Sequence, residues 1–156
     1  MIQRIQTIYL LVSLICVSAF TFGSNLFYFI GTKIYVFNAF GIFDKELTAD
    51  SIVHAHHPLY LLTAVIATLL FAAIFSFKNL KLQGKLLLFA GGIYCAFLAG
   101  IIMYFFIHSN PIKAEETNIQ VASGFYILFF GLISLILANN GIKRDKKLID
   151  SLNRLR

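Results

Sequence analysis

The sequence predicts an all-α integral membrane protein: a bundle of four transmembrane helices with a small outer β-hairpin and a C-terminal amphipathic helix at the membrane interface. Hydrophobic residues make up 59% of the chain and charged residues 13%, with a mean hydropathy of +0.82, which leaves too little polar surface for a soluble globule. Four long uncharged stretches each match the ~20 residues that a helix needs to cross ~30 Å of hydrocarbon. Most basic residues flank these stretches on one side.

The four predicted spans cover residues 5–23, 58–77, 86–107 and 119–138. They occupy most of the 156 residues, and no internal repeat is visible, so residues 1–156 are predicted to form one membrane domain. The first span is predicted to be an anchor rather than a cleaved signal peptide. Its uncharged run is longer than a normal signal core, and its removal would separate the two basic ends of the chain.

Basic residues predict the orientation, because short segments rich in Lys and Arg stay on the cytoplasmic side of a membrane. Ten of the 13 Lys and Arg residues lie before the first span, between spans two and three, or after the fourth span. The net charge of +6 divides into about +8 on that side and about −2 on the other. We therefore expect both termini in the cytoplasm.

The outer loop, residues 24–57, begins with two aromatic and β-branched runs. Residues 27–30 and 34–37 flank a Gly-Thr-Lys turn, which predicts a β-hairpin. An isolated hairpin is barely stable in water, so we expect it to rest on the outer helix ends. Residues 44–51 are polar and predict a short helical turn or a loop. The aromatic residues available as a support are Tyr60, Tyr104, Phe105, Phe106, Phe125 and Tyr126.

The C-terminal tail, residues 139–156, combines leucines at helical spacing with many cations. Leu148, Leu152 and Leu155 lie on one face of a helix that is basic elsewhere, which predicts a short helix on the inner leaflet. Docking of a cytoplasmic protein is the alternative use of such a helix. The pI of 9.4 would also suit nucleic acid, but anionic headgroups attract cations at span ends by ~1 kcal/mol each, so no nucleic-acid partner is predicted. The residues expected to contact headgroups or a partner are Lys78, Lys81, Lys85, Lys143, Arg144, Lys147 and Arg154.

Small residues within the spans predict where helices approach closely, because bilayers favour such contacts. We expect these faces to meet inside the bundle. A homodimer interface is the alternative, since small residues alone do not separate an internal contact from an external one. The predicted contact residues are Gly92, Ala96 and Gly100 in span three, Ala64, Thr68 and Ala72 in span two, and Gly124 and Gly131 in span four.

The spans lack the groups that most membrane chemistry needs. None contains an ionisable Asp, Glu, Lys, Arg or His in its interior, which argues against proton-coupled transport. Cys16 and Cys95 stand singly near mid-membrane, which argues against thiol redox exchange. No catalytic constellation is visible, so we predict that the protein is not an enzyme, and the sequence requires no cofactor.

All four histidines lie on the predicted outer side. His54, His56 and His57 precede the second span, and His108 follows the third. Imidazoles bind zinc, copper or haem iron, so these four residues are the candidate metal ligands. The competing interpretation is that they are interfacial polar residues at the helix ends, since the spacing matches no established ligand signature.

Three basic membrane-flanking stretches resemble one family. They are MIQRIQTIYL at residues 1–10, IFSFKNLKLQ at 74–83, and NNGIKRDKKLI at 139–149 with the closing RLR at 154–156. As a set they resemble an uncharacterised family of four-span inner-membrane proteins from Bacteroidetes, and the resemblance covers essentially the whole chain. It implies a multi-pass protein of the bacterial inner membrane, and it transfers no catalytic residue.

Two functional hypotheses follow. The first is a non-catalytic scaffold or accessory subunit of a membrane complex that holds a partner through its basic inner loop and tail. The alternative is a metal- or small-ligand-binding membrane protein whose site lies at the periplasmic mouth, around the histidines. A lipid-handling role is a weaker third hypothesis, because the sequence shows no polar groove for a headgroup.

Overall fold

The structure is a computed structural model that describes residues 3–30, 34–44, 52–54, 59–112 and 118–154. Within these ranges the chain is mostly helical, with one small sheet. The helices are α1 (Gln3–Gly23), α2 (Leu59–Phe75), α3 (Leu80–Ile112) and α4 (Ser123–Arg154). The strands are β1 (Asn25–Ile30), β2 (Ile34–Asn38), β3 (Ile42–Asp44), β4 (Ile52–His54) and β5 (Asn118–Val121).

Three described helices are long and apolar enough to cross a membrane. Their apolar windows are Ile5–Gly23, Leu80–Met103 and Ser123–Leu148. The fourth, α2, is also apolar but has 17 residues. Its last turn continues as the 3₁₀ turn Ser76–Lys78, and α3 begins immediately after Asn79. These helices are compatible with a multi-pass membrane protein.

Each helix buries one narrow stripe of residues whose spacing alternates between three and four. This heptad pattern is the one by which helices interlock side chains in coiled coils and antiparallel bundles. Outside the stripes, many large hydrophobic side chains are exposed, as expected for helices that contact lipid. The stripes are Leu10, Ser13, Val17 and Phe20 in α1; Thr63, Ile66, Leu70 and Ala73 in α2; Leu87, Ala90, Tyr94, Phe97 and Ile101 in α3; and Leu128, Gly131, Leu135, Ala138 and Ile142 in α4.

The helices pack as a square in chain order. Contacts join α1 to α2, α2 to α3, α3 to α4, and α4 back to α1, which has the most extensive contact. Across the centre, the rings of Phe20 and Phe97 meet edge to face with their centroids 6.1 Å apart. The square has a sheet end, where the strands lie, and a basic end, where α1 and α3 begin and α4 finishes.

Tyr94 is the largest fully buried side chain of the core. Its hydroxyl donates a hydrogen bond of 2.8 Å to the backbone carbonyl of Leu128 in α4. Gly131 makes room for that hydroxyl: a Cβ there would lie 2.6 Å from the Tyr94 oxygen and 3.0 Å from the Cβ of Cys16. Three helices therefore meet at this point because α4 carries no side chain at residue 131.

The contact between Tyr94 and Gly131 predicts non-additive stability changes. Gly131→Ala is expected to lower the free energy of unfolding by about 1–3 kcal/mol through overpacking, and Tyr94→Phe by about 1 kcal/mol through the lost hydrogen bond. The loss of unfolding free energy in the double variant should be smaller than the sum of the two single losses by at least about 0.5 kcal/mol. The reason is that Tyr94→Phe removes the oxygen atom that the new methyl group at residue 131 would meet. Unfolding in mixed micelles measures all three, and strict additivity would contradict the contact.

The strands form one antiparallel sheet in the order β4-β3-β2-β1-β5. The predicted hairpin is present as β1 and β2, with Phe27 opposite Phe37 and Phe29 opposite Tyr35. The sheet is wider than predicted because β3 and β4 extend it on one side. On the other side β5, which comes from the segment between α3 and α4, pairs with β1. This pairing joins two distant parts of the chain.

The sheet is attached to the bundle through aromatic rings and one tight backbone contact. Phe27 packs against Phe125 of α4 at 6.1 Å, and Phe40 stacks on Tyr60 of α2 at 5.7 Å, as the expected aromatic support implies. The amide of Ala122 donates to the carbonyl of Leu26 at 2.9 Å. The sheet therefore covers the ends of α1, α2 and α4.

Two sequence predictions about α4 are wrong. Residues 119–121, read as the start of the fourth span, belong to strand β5, because a short apolar run is also what an edge strand of this sheet requires. The tail predicted as a short helix of its own is instead continuous with the helix of the predicted fourth span, since α4 runs unbroken from Ser123 to Arg154. Packing of Ile142 and Asp145 against the other helices holds it in line.

Candidate functional site at the basic end

The heptad stripes change character at the basic end, where their next positions are polar. Gln6 precedes Leu10 in α1, Gln83 precedes Leu87 in α3, and Asp145 follows Ile142 in α4. All three side chains are buried, with exposures of 4%, 2% and 7%. We call these three residues the polar layer. It closes the apolar core on the side where the cations lie.

Gln6 and Asp145 are joined directly. The side-chain amide of Gln6 donates a short hydrogen bond to Oδ2 of Asp145. Gly141 allows this approach, because a Cβ there would lie 2.9 Å from Cγ of Gln6. Gln83 belongs to the same level of the bundle, since a Cβ on its neighbour Gly84 would touch Ile142 at 3.8 Å. The start of α1 is thus tied to the tail of α4.

The second carboxylate oxygen of Asp145, Oδ1, is buried and has no hydrogen-bond partner in the described part of the chain. A carboxylate removed from water without full hydrogen bonding or a counter-charge is costly. No described basic side chain approaches it, although cations surround it in the sequence. The Gln6–Asp145 hydrogen bond is therefore specific in geometry, but it offsets only part of the cost of burying the carboxylate.

Burial of Asp145 turns the neighbouring cations outward. Lys143, Arg144, Lys146 and Lys147 are all exposed, because residues on either side of a buried helical position point away from the core. Lys81 and Lys85 at the start of α3 are exposed as well, and α3 and α4 touch at this level. We call these six residues the basic surface: Lys81, Lys85, Lys143, Arg144, Lys146 and Lys147. Of the other predicted contact residues, Lys78 lies in the 3₁₀ turn and Arg154 ends α4, and their side chains are outside the described part.

Chemically, the basic end can bind anions through exposed ammonium and guanidinium groups. Among the described residues no three His, Cys, Asp or Glu side chains are placed to hold a metal ion. Asp145 is the one acidic group of the polar layer.

The predicted histidine site falls largely outside the described residues. His56 and His57 are not described, and for His54 in β4 and His108 in α3 the backbone alone is described. Both described backbones belong to elements of the sheet end. A metal site formed by these four residues stays a prediction.

A small cleft lies at the sheet end, between the end of α1 and the hairpin. Its volume is about 210 Å³, and its lining is mainly polar: Thr21, Phe22, Gly23, Ser24, Asn25, Asn38 and Phe40. The size is below the ~300–1,000 Å³ of ligand pockets for drug-sized molecules. The side-chain oxygen of Asn38 already accepts bonds from the amides of Phe40 and Gly41. The cleft contains no histidine and no charged side chain.

The small residues divide into two groups. Gly124 and Gly131 lie at tight contacts inside the fold. The other six do not form the expected internal faces: Gly92, Ala96 and Gly100 in α3 and Ala64, Thr68 and Ala72 in α2 are all exposed. A Cβ on Gly92 or Gly100 would meet nothing within 4 Å. The reason is that the buried stripes follow the heptad spacing, whereas these ladders repeat every four residues and turn away from it.

Sequence reasoning missed Gln6, Gln83 and the inward position of Asp145. A usable signal exists in the heptad spacing, which continues from Leu135, Ala138 and Ile142 to residue 145. By charge alone, Asp145 is an ordinary member of the basic tail and contributes to the net charge of that side. When the heptad spacing of α4 is continued past the apolar stretch, it predicts Asp145 on the buried face and the neighbouring cations on the exposed face.

Comparison with known proteins gives a family but no described activity. No curated protein matches the chain. A family model does match, described as a domain of unknown function (DUF4293), and it covers residues 2–155. This agrees with the expected membership of an uncharacterised family over essentially the whole chain. The protein therefore belongs to the DUF4293 family of domains of unknown function.

Proposed function

We propose that the protein is a non-catalytic scaffold or accessory subunit of a complex in the bacterial inner membrane, which binds an acidic cytoplasmic protein through its basic surface. In this proposal the chain crosses the membrane four times, with both termini and the basic end in the cytoplasm. The observation that carries it is the unbroken α4, held in line by the Gln6–Asp145 hydrogen bond.

The length of α4 supports a partner beyond the lipid headgroups. Its 32 residues extend about 48 Å at 1.5 Å each. About 20 of them suffice for the hydrocarbon core, and a headgroup layer adds roughly 5–8 Å per side. About 18 Å of helix remains beyond the hydrocarbon core, and about 10–13 Å of it, roughly two turns, extends past the headgroup layer when the helix stands upright. These last turns begin near Lys147 and are placed to meet a protein.

The four-span topology is supported by the length of α2 together with the turn that follows it. The 17 residues of α2 give about 26 Å, and the three residues of the 3₁₀ turn add about 6 Å. The sum matches the ~30 Å hydrocarbon thickness. An antiparallel square of four helices also places the starts of α1 and α3 beside the end of α4, where the basic residues lie.

An acidic partner follows from the charge of the surface. Six exposed cations lie on two adjacent helix ends, and the acidic group among them, Asp145, faces inward. Such a surface attracts an acidic face and repels a basic one, which gives specificity and fast association more than raw affinity. A partner that contacts several of these cations at once would recognise the tail as a helix continuous with the rest of α4.

Charge reversal tests the proposal. We expect native mass spectrometry of the protein, extracted from its own host in mild detergent, to show a second polypeptide bound to the wild type. Lys143→Glu with Lys147→Glu should weaken the affinity at least tenfold, because the loss of two attractive contacts costs roughly 1–2 kcal/mol and the reversed charges add repulsion.

Two controls make that test specific. Lys113→Glu changes a cation predicted on the opposite side and should leave the bound fraction unchanged. Replacing His54, His56, His57 and His108 by alanine should also leave it unchanged. A chain that purifies alone, or one that carries a metal or small-molecule mass that the histidine variant loses, would contradict the proposal.

A further inference from the structure

The tail of α4, residues 142–154, has the features of a segment that is either packed against the bundle or released from it. In the structure it is packed, and beyond residue 141 its described contacts with the bundle come from two buried side chains, Ile142 and Asp145. The following residues, Lys146, Lys147 and Leu148, are exposed. A helix segment held by so few contacts opens locally more readily than the core does.

The segment just before these contacts is suited to bend. Residues 139–141 are Asn-Asn-Gly, three consecutive weak helix formers at the point where α4 leaves the apolar core. Two of the three have polar side chains that compete with the helix for backbone hydrogen bonds. A hinge here would release the tail without disturbing the heptad contacts of Leu135 and Ala138.

The buried charge of Asp145 lowers the stability of the packed position. Oδ2 accepts the Gln6 hydrogen bond, while Oδ1 is buried without any described partner. Release of the tail would return the carboxylate to water. The hydrogen bond makes the contact specific, while the desolvation cost of the unpaired oxygen lowers the free energy needed to break it.

The released tail has the composition of a helix that binds to the inner leaflet. Leu148 is already 47% exposed, and Leu152 and Leu155 follow at helical spacing in the sequence. The cations of the same segment match anionic headgroups, and such basic amphipathic helices lie flat in the interface. The ligand that favours the released position is therefore an anionic phospholipid surface.

We propose that residues 142–154 form a lipid-controlled strap, latched against α1 by the Gln6–Asp145 hydrogen bond and released onto the inner leaflet when anionic phospholipid is abundant. The inference rests on the proposed cytoplasmic placement of the basic end. It adds regulation to the proposed function, because the strap carries four of the six cations of the basic surface, and release reorients them.

The test is a distance measurement on the full chain in nanodiscs. Spin labels at Leu82→Cys and Ser151→Cys, both exposed positions outside the basic surface, report the separation of α3 from the tail in a background with Cys16 and Cys95 replaced by alanine. In pure phosphatidylcholine we expect one short distance. With equal parts phosphatidylcholine and phosphatidylglycerol we expect a second, longer distance. Identical distributions in both lipids would overturn the strap.

Two variants test the latch itself. Asp145→Asn keeps an oxygen that accepts from Gln6 and removes the buried charge, so it should stay at the short distance in both lipids. Asp150→Asn makes the same change of charge on the same helix and should respond to lipid as the wild type does. A lipid response in Asp145→Asn, or its loss in Asp150→Asn, would contradict the latch. A chain that shows the lipid response but recovers no partner would instead contradict the proposed function.

Discussion

Replacing Gln6 by leucine is expected to lower the free energy of unfolding by about 3 kcal/mol, because it leaves the buried carboxylate of Asp145 without its hydrogen-bond donor. Asp145→Leu should cost less, about 1–3 kcal/mol, since the group left unpaired is then a neutral amide. The free energy of unfolding of the double variant should be within about 1 kcal/mol of the wild-type value or higher, because replacing both members of a buried polar pair by apolar residues leaves no group unpaired.

Reversible unfolding in mixed micelles measures the three variants as a double-mutant cycle. The coupling between residues 6 and 145 should be at least about 1 kcal/mol. Ser134→Ala is the control, because in the described part of the chain this buried hydroxyl donates to the carbonyl of Phe130 in its own helix, at 3.1 Å. Additive losses at residues 6 and 145 would show that the polar layer does not tie α1 to α4.

Gly124→Ala is expected to lower the free energy of unfolding by about 2–3 kcal/mol. A Cβ at this position would lie 2.5 Å from the carbonyl oxygen of Asn25 and 3.2 Å from the ring of Phe20. The nearest obstacle is backbone, which cannot rotate away as a side chain can. The start of α4 would have to move off the junction between α1 and β1, loosening both the bundle and the sheet.

Gly92→Ala is the matched control for that prediction. A Cβ there meets nothing within 4 Å, so the change should be neutral or stabilise the helix by up to about 1 kcal/mol. The apparent melting temperatures of the two variants in mild detergent give the comparison. Equal stability of the Gly124 and Gly92 variants would contradict the close approach of α4 to Asn25.

The helices and the central hairpin could be predicted because their signals are strong. Uncharged stretches of span length locate α1, α2 and α3, and the aromatic runs around a Gly-Thr-Lys turn locate β1 and β2. The strand β5 could not be told from the start of a span, because Ile119 and Val121 are as apolar as the helix that follows. Its pairing with β1 depends on contacts distant in sequence.

The inward faces of the helices were harder to predict. In a span nearly every side chain is apolar, so the contrast between a buried and an exposed face, which identifies the core of a soluble helix, is absent. Small residues were the remaining guide, and they were correct for the close contacts of Gly124 and Gly131 but not for Gly92, Ala96 and Gly100. The buried stripe is set by the heptad spacing shared by all four helices.

The candidate site could be predicted in composition but not in geometry. The sequence predicts the cations of residues 143–147 as a contact surface, and the structure shows that these side chains are exposed. That Asp145 faces the core, and Gln6 with it, depends on α4 continuing as one helix beyond the apolar stretch. The sequence Asn-Asn-Gly at residues 139–141 argues for a break there, and packing against α1 outweighs it.

Photocrosslinking in the native membrane tests the central claim most directly. A photoreactive phenylalanine at residue 147, where α4 leaves the headgroup layer in the proposed placement, should crosslink to the same polypeptide found by native mass spectrometry. The same group at residue 129, an exposed position within the α4 span, should crosslink to lipid. Crosslinks to lipid alone from residue 147 would place the tail on the leaflet permanently and contradict a docking surface for a protein.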